Sequence, residues 1–319
     1  MRARIKKRQR NRNITLIAIA AVVVVVIIGV GYSLYSLTSS VSPLIGQPVS
    51  ASIYSSLSTV ASSSSYGPDN PTLVAIRSSS NPNAPVQTVS GEPYISGGKP
   101  VILFIGGEFC PLCAFQRWPM VIALMRFGNL SNLTYMQSSS TDSDPNTSTF
   151  SFLNVTSSSY TSKYIVFEHY EQEDRNHNPL QTVPSNYSTV FTQFGSGYPF
   201  LDFANKYVIE GSYFEPTAFA GLNWTQIVQQ IQNPSSTIYS QVMTSANAIT
   251  ALICNVTGGT PNNVCGNVSI TGLTATLTSY HPSASATMLA STATPATYNT
   301  YSLALVRRVD ILTISDSHF

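Results

Sequence analysis

Apolar residues run without a charge from Ile14 to Val30 (ITLIAIAAVVVVVIIGV), and the run continues more weakly through Tyr32, Leu34, Tyr35 and Leu37. At 1.5 Å per residue, about 20 such residues cross a hydrocarbon core of roughly 30 Å, so the pattern predicts a transmembrane helix over 14–37. A cleaved signal peptide carries a shorter apolar region, about 7–15 residues, that ends in small residues, and fits this run less well. Further along, the period changes. VILFIGG, residues 101–107, is continuously apolar, the pattern of a strand buried on both faces. From Pro111, Phe115, Trp118, Ile122 and Met125 recur at three- and four-residue steps, which predicts a helix that stops near Gly128 and contains Pro119.

LTYMQSS and YIVFEHY, the latter spanning 164–170, read as further strands, with a polar loop over 139–149 between them. Leu180 to Phe194 reads as a helical region broken by Pro184. Phe200 to Phe203 and Tyr207 to Ile209 flank Ala204-Asn205-Lys206, the pattern of an antiparallel hairpin. Asn223 caps a helix through Ile231, and Ile238, Val242, Ala246, Ile249 and Ile253 hold the helical period up to Cys254. Strands alternating with helices define an α/β domain, which we place over 86–266. Before it, residues 38–85 are rich in serine and proline and read as a stalk with one short helix. After it, residues 267–319 form a Ser/Thr-rich tail with a possible strand from Tyr301 to Ile314.

Charge decides which side of the membrane the domain occupies. Arg2, Arg4, Lys6, Lys7, Arg8, Arg10 and Arg12 all precede Asn13, so residues 1–13 form a basic tail that stays in the cytoplasm, and the chain beyond the anchor lies outside the cell. Setting those seven aside leaves nine basic against fourteen acidic residues, and the net +2 of the chain gives no reason to expect nucleic acid as a partner. Charged residues are only 9% of the 319-residue chain, so other groups must keep the surface wet. Sequons at Asn129, Asn132, Asn146, Asn154, Asn186, Asn223, Asn255 and Asn267 make glycans one candidate for that role.

Candidate chemistry centres on CPLC. The predicted strand ends directly before it, and Pro111 suits the first turn of a helix, where its missing N–H is not needed. Cys110 then stands at the amino end of that helix, where backbone N–H groups and the macrodipole lower a thiol pKa and favour a nucleophilic thiolate. The same geometry turns Cys110 outward and shields Cys113 as the resolving thiol. Glu108 is placed to assist proton transfer and Arg117 to favour a thiolate, although residues in such positions more often orient the turn or meet solvent. Two alternatives stay open: a purely structural bond within CPLC, and a zinc site using all four cysteines. The ten residues between Cys254 and Cys265 fit zinc spacing poorly. The acidic stretch Glu168 to Asp174, with His169 and His177, reads as a solvated loop, and no metal is expected.

GGEFCPLC followed by a helix resembles the active-site turn of thioredoxin-like proteins, and YPFLDFANKYVIEG resembles their later hairpin. The resemblance implies a three-layer α/β/α sandwich with a central mixed sheet, a cis Pro199 facing the cysteine pair, and Tyr198 as the residue whose backbone pairs with substrate. More narrowly, FCPLCAFQRWPMVIALMRFGN together with CNVTGGTPNNVC looks like an archaeal family of uncharacterised, membrane-anchored, thioredoxin-like proteins. Gln116, Pro119 and Phe109 depart from the expected pattern. Cys254, at the end of the long helix, and Cys265, in a Gly/Pro/Asn loop, are expected to form a structural disulfide, with an electron relay to CPLC as the alternative. On the thioredoxin-like reading the protein is an oxidase or isomerase of protein disulfides. Its expected partners are membrane lipid, cysteine-bearing secreted or surface proteins and an unidentified redox partner. No dissociable cofactor is required, because the dithiol is itself the redox group. The competing expectation is a glycosylated surface protein that keeps the fold for binding or structure, without catalysis.

Overall fold

The computed structural model describes residues 21–26 and 41–279. Residues 21–26 are helical. The remainder of the expected membrane segment, the basic tail and residues 280–319, with the strand expected near the carboxyl end, lie outside the described residues. Among the described residues no helix is long and apolar enough to cross a membrane.

The strand expected at 101–107 forms β3 (Lys99–Gly106). It runs antiparallel to β9 (Phe200–Phe203), which pairs with β10 (Tyr207–Glu210), which pairs in turn with β1 (Val86–Thr88). On its other side β3 takes β8 (Val166–Glu171) in parallel, Val101 opposite Val166 and Gly106 opposite Glu171. The short β2 (Ile95–Ser96) folds back on the start of β3. The outcome is a central mixed sheet. A parallel neighbour demands a crossover, and here α2 (Pro111–Phe127) makes the first part of it. Between α2 and β8 lie two small antiparallel pairs, β4 (Gly128–Leu130) with β7 (Tyr160–Ser162), and β5 (Thr134–Gln137) with β6 (Ser148–Ser151). The expected polar loop thus ends in a strand, β6, that apolar periodicity does not signal, since three of its four residues are Ser or Thr.

Alternation along the strands separates two cores. Ile102, Phe104, Leu201, Phe203 and Ile209 face one side, packed with α1 (Ala51–Ser62), α2 and α5 (Thr237–Val256). Val101, Leu103, Ile105, Phe200 and Val208 face the other, covered by α3 (Ser185–Gln193) through Tyr187, Val190 and Phe191. The helix expected after Asn223 is α4 (Trp224–Ile231), held by a complete capping box between Asn223 and Gln226. Helix α2 is buried on nearly every side, Arg117 and Arg126 included, as befits a helix enclosed by other elements.

Two boundaries move relative to the sequence reading. The segment expected as a stalk packs into the first core through Val49, Ile53, Leu57, Ala61, Tyr66, Val74 and Ile76. Its serines are the exposed face of an amphipathic helix, and Ser50 caps that helix by accepting the N–H of Ile53. The expected tail begins later as well: Val268–Ser279 is helix α6, which buries Ile270, Leu273 and Leu277. Threonines occupy its outer face, so composition alone made it look unstructured.

Candidate functional site

Cys110 is the N-cap of α2, with Pro111 opening the helix. Its Sγ accepts the backbone N–H of Cys113 at 3.2 Å, so the sulfur fills the position that a serine or aspartate oxygen usually takes. Both thiols are unbridged. A hydrogen bond from the Cys113 thiol pulls the Cys110 pKa down; burial opposes this, while the Cys113 N–H, the Arg117 charge and the Leu112 N–H add to it. Burial, and then the neighbouring Cys110 sulfur, push Cys113 well above the ordinary thiol value. Of the two thiols, Cys110 is therefore the one that ionises first. The expected exposure of Cys110 needs correction: it is 6% exposed, against 0% for Cys113. The order of access is as expected, but the opening is narrow; next to Cys110 in the chain, Phe109 packs between the ring of His177, at 4.1 Å between centroids, and that of Tyr198, at 6.0 Å.

Gly106, the last residue of β3, lets the Cys113 thiol approach the sheet. A Cβ on Gly106 would lie 2.9 Å from the Phe104 ring and 3.1 Å from Cys113 Sγ. Arg117, one helical turn beyond Cys113, is fully buried rather than at the surface. It donates Nε and Nη2 to the Glu171 carboxylate at 3.0 and 2.6 Å and Nη2 also to the Gly107 carbonyl at 3.0 Å. Its guanidinium lies 5.4 Å from the centre of the Phe104 ring. Glu171 belongs to the stretch read as a solvated loop, yet its side chain is wholly buried. It closes β8 beside Gly106, and the apolar run preceding it was the available signal that it ends a core strand. Glu108 is also buried, accepts a short hydrogen bond from Ser151 Oγ, and has its pKa raised chiefly by burial, opposed by that bond and reinforced by Glu171.

Tyr198 stands half-buried at the mouth and donates its hydroxyl to Gln172 Oε1 at 2.6 Å; burial, reinforced by Glu173 and the two thiols, pushes its pKa up to about 12. The Tyr198–Pro199 peptide is cis, as is Thr260–Pro261. Pro199 is buried, and its carbonyl accepts the N–H of Gly211 at 2.8 Å. Sequence reasoning did not single out Gln172, and it gave His177 only a place beside a solvated acidic loop. His177 is carried over Phe109 by a turn in which Asp174 accepts the N–H groups of Asn176 and Asn178.

Cys254 and Cys265 are joined by a disulfide, S–S 1.97 Å and Cα–Cα 5.5 Å, which removes the four-thiolate zinc alternative. Among the described residues no group of three or more His, Cys, Asp or Glu side chains is placed to hold a metal ion. Of the sequon asparagines, Asn129, Asn132, Asn154, Asn186 and Asn223 are exposed, and Asn255 and Asn267 are half-buried. Asn146 is buried, with its Oδ1 taken by Arg175 at 2.8 Å, so its position among the glycan candidates is corrected.

Fold and site together define an α/β protein with a dithiol at a helix amino terminus, set against a buried ion pair. The chain belongs to the family described as Domain of unknown function (DUF929), which matches residues 85–255, more than half of its length. Neither the curated proteins nor the solved structures contain a match.

Proposed function

We propose that this protein is a thioredoxin-like thiol–disulfide oxidoreductase, tethered to the membrane by residues 14–37 and working outside the cytoplasm on the disulfides of other proteins. The observation that carries the reading is the N-cap sulfur: Cys110 Sγ receives the Cys113 N–H at 3.2 Å, and its thiol pKa is lowered while that of Cys113 is raised. A thiolate there attacks one sulfur of a substrate disulfide, forms a mixed disulfide and releases the other sulfur with its electron pair. Cys113 then attacks Cys110 Sγ, the substrate sulfur leaves as a thiolate, and the pair ends oxidised. Run in reverse, the same steps place a disulfide in the substrate. An enzyme outside the cytoplasm works more naturally as an oxidase or isomerase, because one apolar helix offers no path for electrons from within. Tyr198, at the mouth, supplies the backbone against which an extended polypeptide lies, and the cis Pro199 behind it shapes the groove.

A second reading, a glycosylated surface protein with a structural Cys110–Cys113 bond and no catalysis, is favoured by the 6% exposure of Cys110. One experiment separates the two. The reduction potential of CPLC is measured in the full chain, and Cys113→Ser is used to trap mixed disulfides. An enzyme gives a potential above about −300 mV and a trapped partner through Cys110; a potential below about −300 mV with no trapping marks a structural bond.

A further inference from the structure

Cys113 leaves or attacks as an anion during exchange, yet it has no solvent around it. The charged and titratable groups acting on it are Cys110 and Arg117 on its own helix and Tyr198 ahead of β9, while Glu171 at the end of β8 and Glu108 in the turn before the helix act on Arg117. Arg117 is the sole cation in that set. It follows Cys113 by four residues, so both side chains project from the same face of α2. Both are 0% exposed. The Gly106–Gly107 peptide brackets them: Cys113 Sγ sits against Gly106, and Arg117 Nη2 donates to the Gly107 carbonyl. Nε and Nη2 are satisfied, whereas the buried Nη1 has no acceptor among the described residues. A buried donor left unpaired costs about 1–3 kcal/mol, and burying an ion pair is by itself a poor source of stability. An arrangement with both features fits a task other than holding the fold together.

We infer that Arg117, held in place by Glu171, is the electrostatic partner of Cys113, stabilising the sulfur anion that Cys113 becomes during exchange. The inference rests on CPLC being the redox pair. In the oxidising direction a substrate thiolate attacks Cys110 Sγ of the Cys110–Cys113 bond. The bond from Cys110 to substrate forms, the Cys110–Cys113 bond breaks, and Cys113 departs with the electron pair, its charge balanced by the Arg117 guanidinium until it takes up the proton that a substrate thiol gives up on becoming the attacking thiolate. A second substrate thiolate then displaces Cys110, so the substrate loses two electrons and the pair gains them. A leaving thiol of lower pKa departs faster, so Arg117 accelerates donation of the disulfide. In the reducing direction the same charge raises the fraction of Cys113 present as the attacking thiolate. Arg117 is thus a positioning residue: it acts through Cys113 and touches no substrate.

The test reads the thiol itself. In the full chain in detergent, with Cys110→Ala and Cys254–Cys265 bridged, the 13Cβ shift of labelled Cys113 is followed against pH. Removing the cation with Arg117→Met should raise the midpoint by about 1 pH unit or more, and removing its counter-charge with Glu171→Gln should lower it. Opposite signs are the signature, since a merely structural ion pair would give disorder in both variants and no lowered midpoint in either. An unmoved midpoint in Arg117→Met, or an unmoved or raised one in Glu171→Gln, overturns the inference. Should Arg117→Met not fold, Glu171→Gln decides alone, and Arg117→Lys, which keeps the charge, must hold the parent midpoint within about half a pH unit. No substrate is involved. Loss of the enzymatic reading therefore leaves these midpoints standing, and unmoved midpoints sink the coupling alone.

Discussion

The carboxylate of Glu171 takes two hydrogen bonds from Arg117, at 3.0 and 2.6 Å, across 54 residues of chain and with neither side chain open to water. The pair ties the end of β8 to the helix that begins at the thiols. Cutting one partner strands a buried charge, so Glu171→Ala should lose about 3–5 kcal/mol in denaturant unfolding. Replacing both with leucine should recover most of that loss. A single substitution costing under about 1 kcal/mol would show that water reaches the pair.

Asp202 sets the response of stability to pH. Burial pushes its carboxyl from 3.8 up to about 7, opposed by the Asn205 N–H that Oδ1 accepts, and Oδ2 meets no donor among the described residues. With the folded value above the unfolded one, the native chain binds the proton more tightly. Its contribution is complete below about pH 4 and is lost as pH climbs through 7. Glu108, raised by burial as well, acts with the same sign. Unfolding free energy should therefore fall between pH 4 and 8 by up to about 4 kcal/mol relative to an Asp202→Asn variant. Parallel pH curves for the two proteins would exclude this account.

Leu57 tests whether the serine-rich segment is part of the domain. It is fully buried against the first core, 28 residues before Pro85, where the family match begins. Leu57→Ala should cost about 2–5 kcal/mol, the range for a cavity in a closed core. A tether outside the core would tolerate the change without a measurable shift in thermal midpoint.

The Cys254–Cys265 bond closes a loop over a sequence separation of 11 at the end of α5. Chain entropy assigns such a loop about 2–3 kcal/mol. Replacing both cysteines with serine should lower the thermal midpoint by several degrees and leave alkylation of Cys110 unchanged. A loss of Cys110 reactivity in that variant would instead make the second pair a redox relay.

What could be read from the sequence was local. The apolar run of β3, the three- and four-residue steps of α2 and α5, the hairpin around Asn205 and the cap at Asn223 all follow from neighbours within one or two turns, and each appears where expected. The position of Cys110 at a helix start was legible for the same reason. Strand β6 was not, because its serines and threonines are buried through hydrogen bonds such as Thr149 Oγ1 to the Ala114 carbonyl, which no periodicity announces. The helix Val268–Ser279 was missed because threonine lowers helix propensity, and packing of Ile270, Leu273 and Leu277 overrides it.

Residue order alone determined where the backbone turns, which faces are apolar and which sulfur caps a helix, since those depend on side chains a few positions apart. Only the folded chain decided that Glu171, Glu108 and Arg117 leave water together behind the thiols, and that Cys110 keeps just a narrow opening. Those are questions of which distant segments exclude solvent from a group, and desolvation is a property of the surrounding packing rather than of the residue.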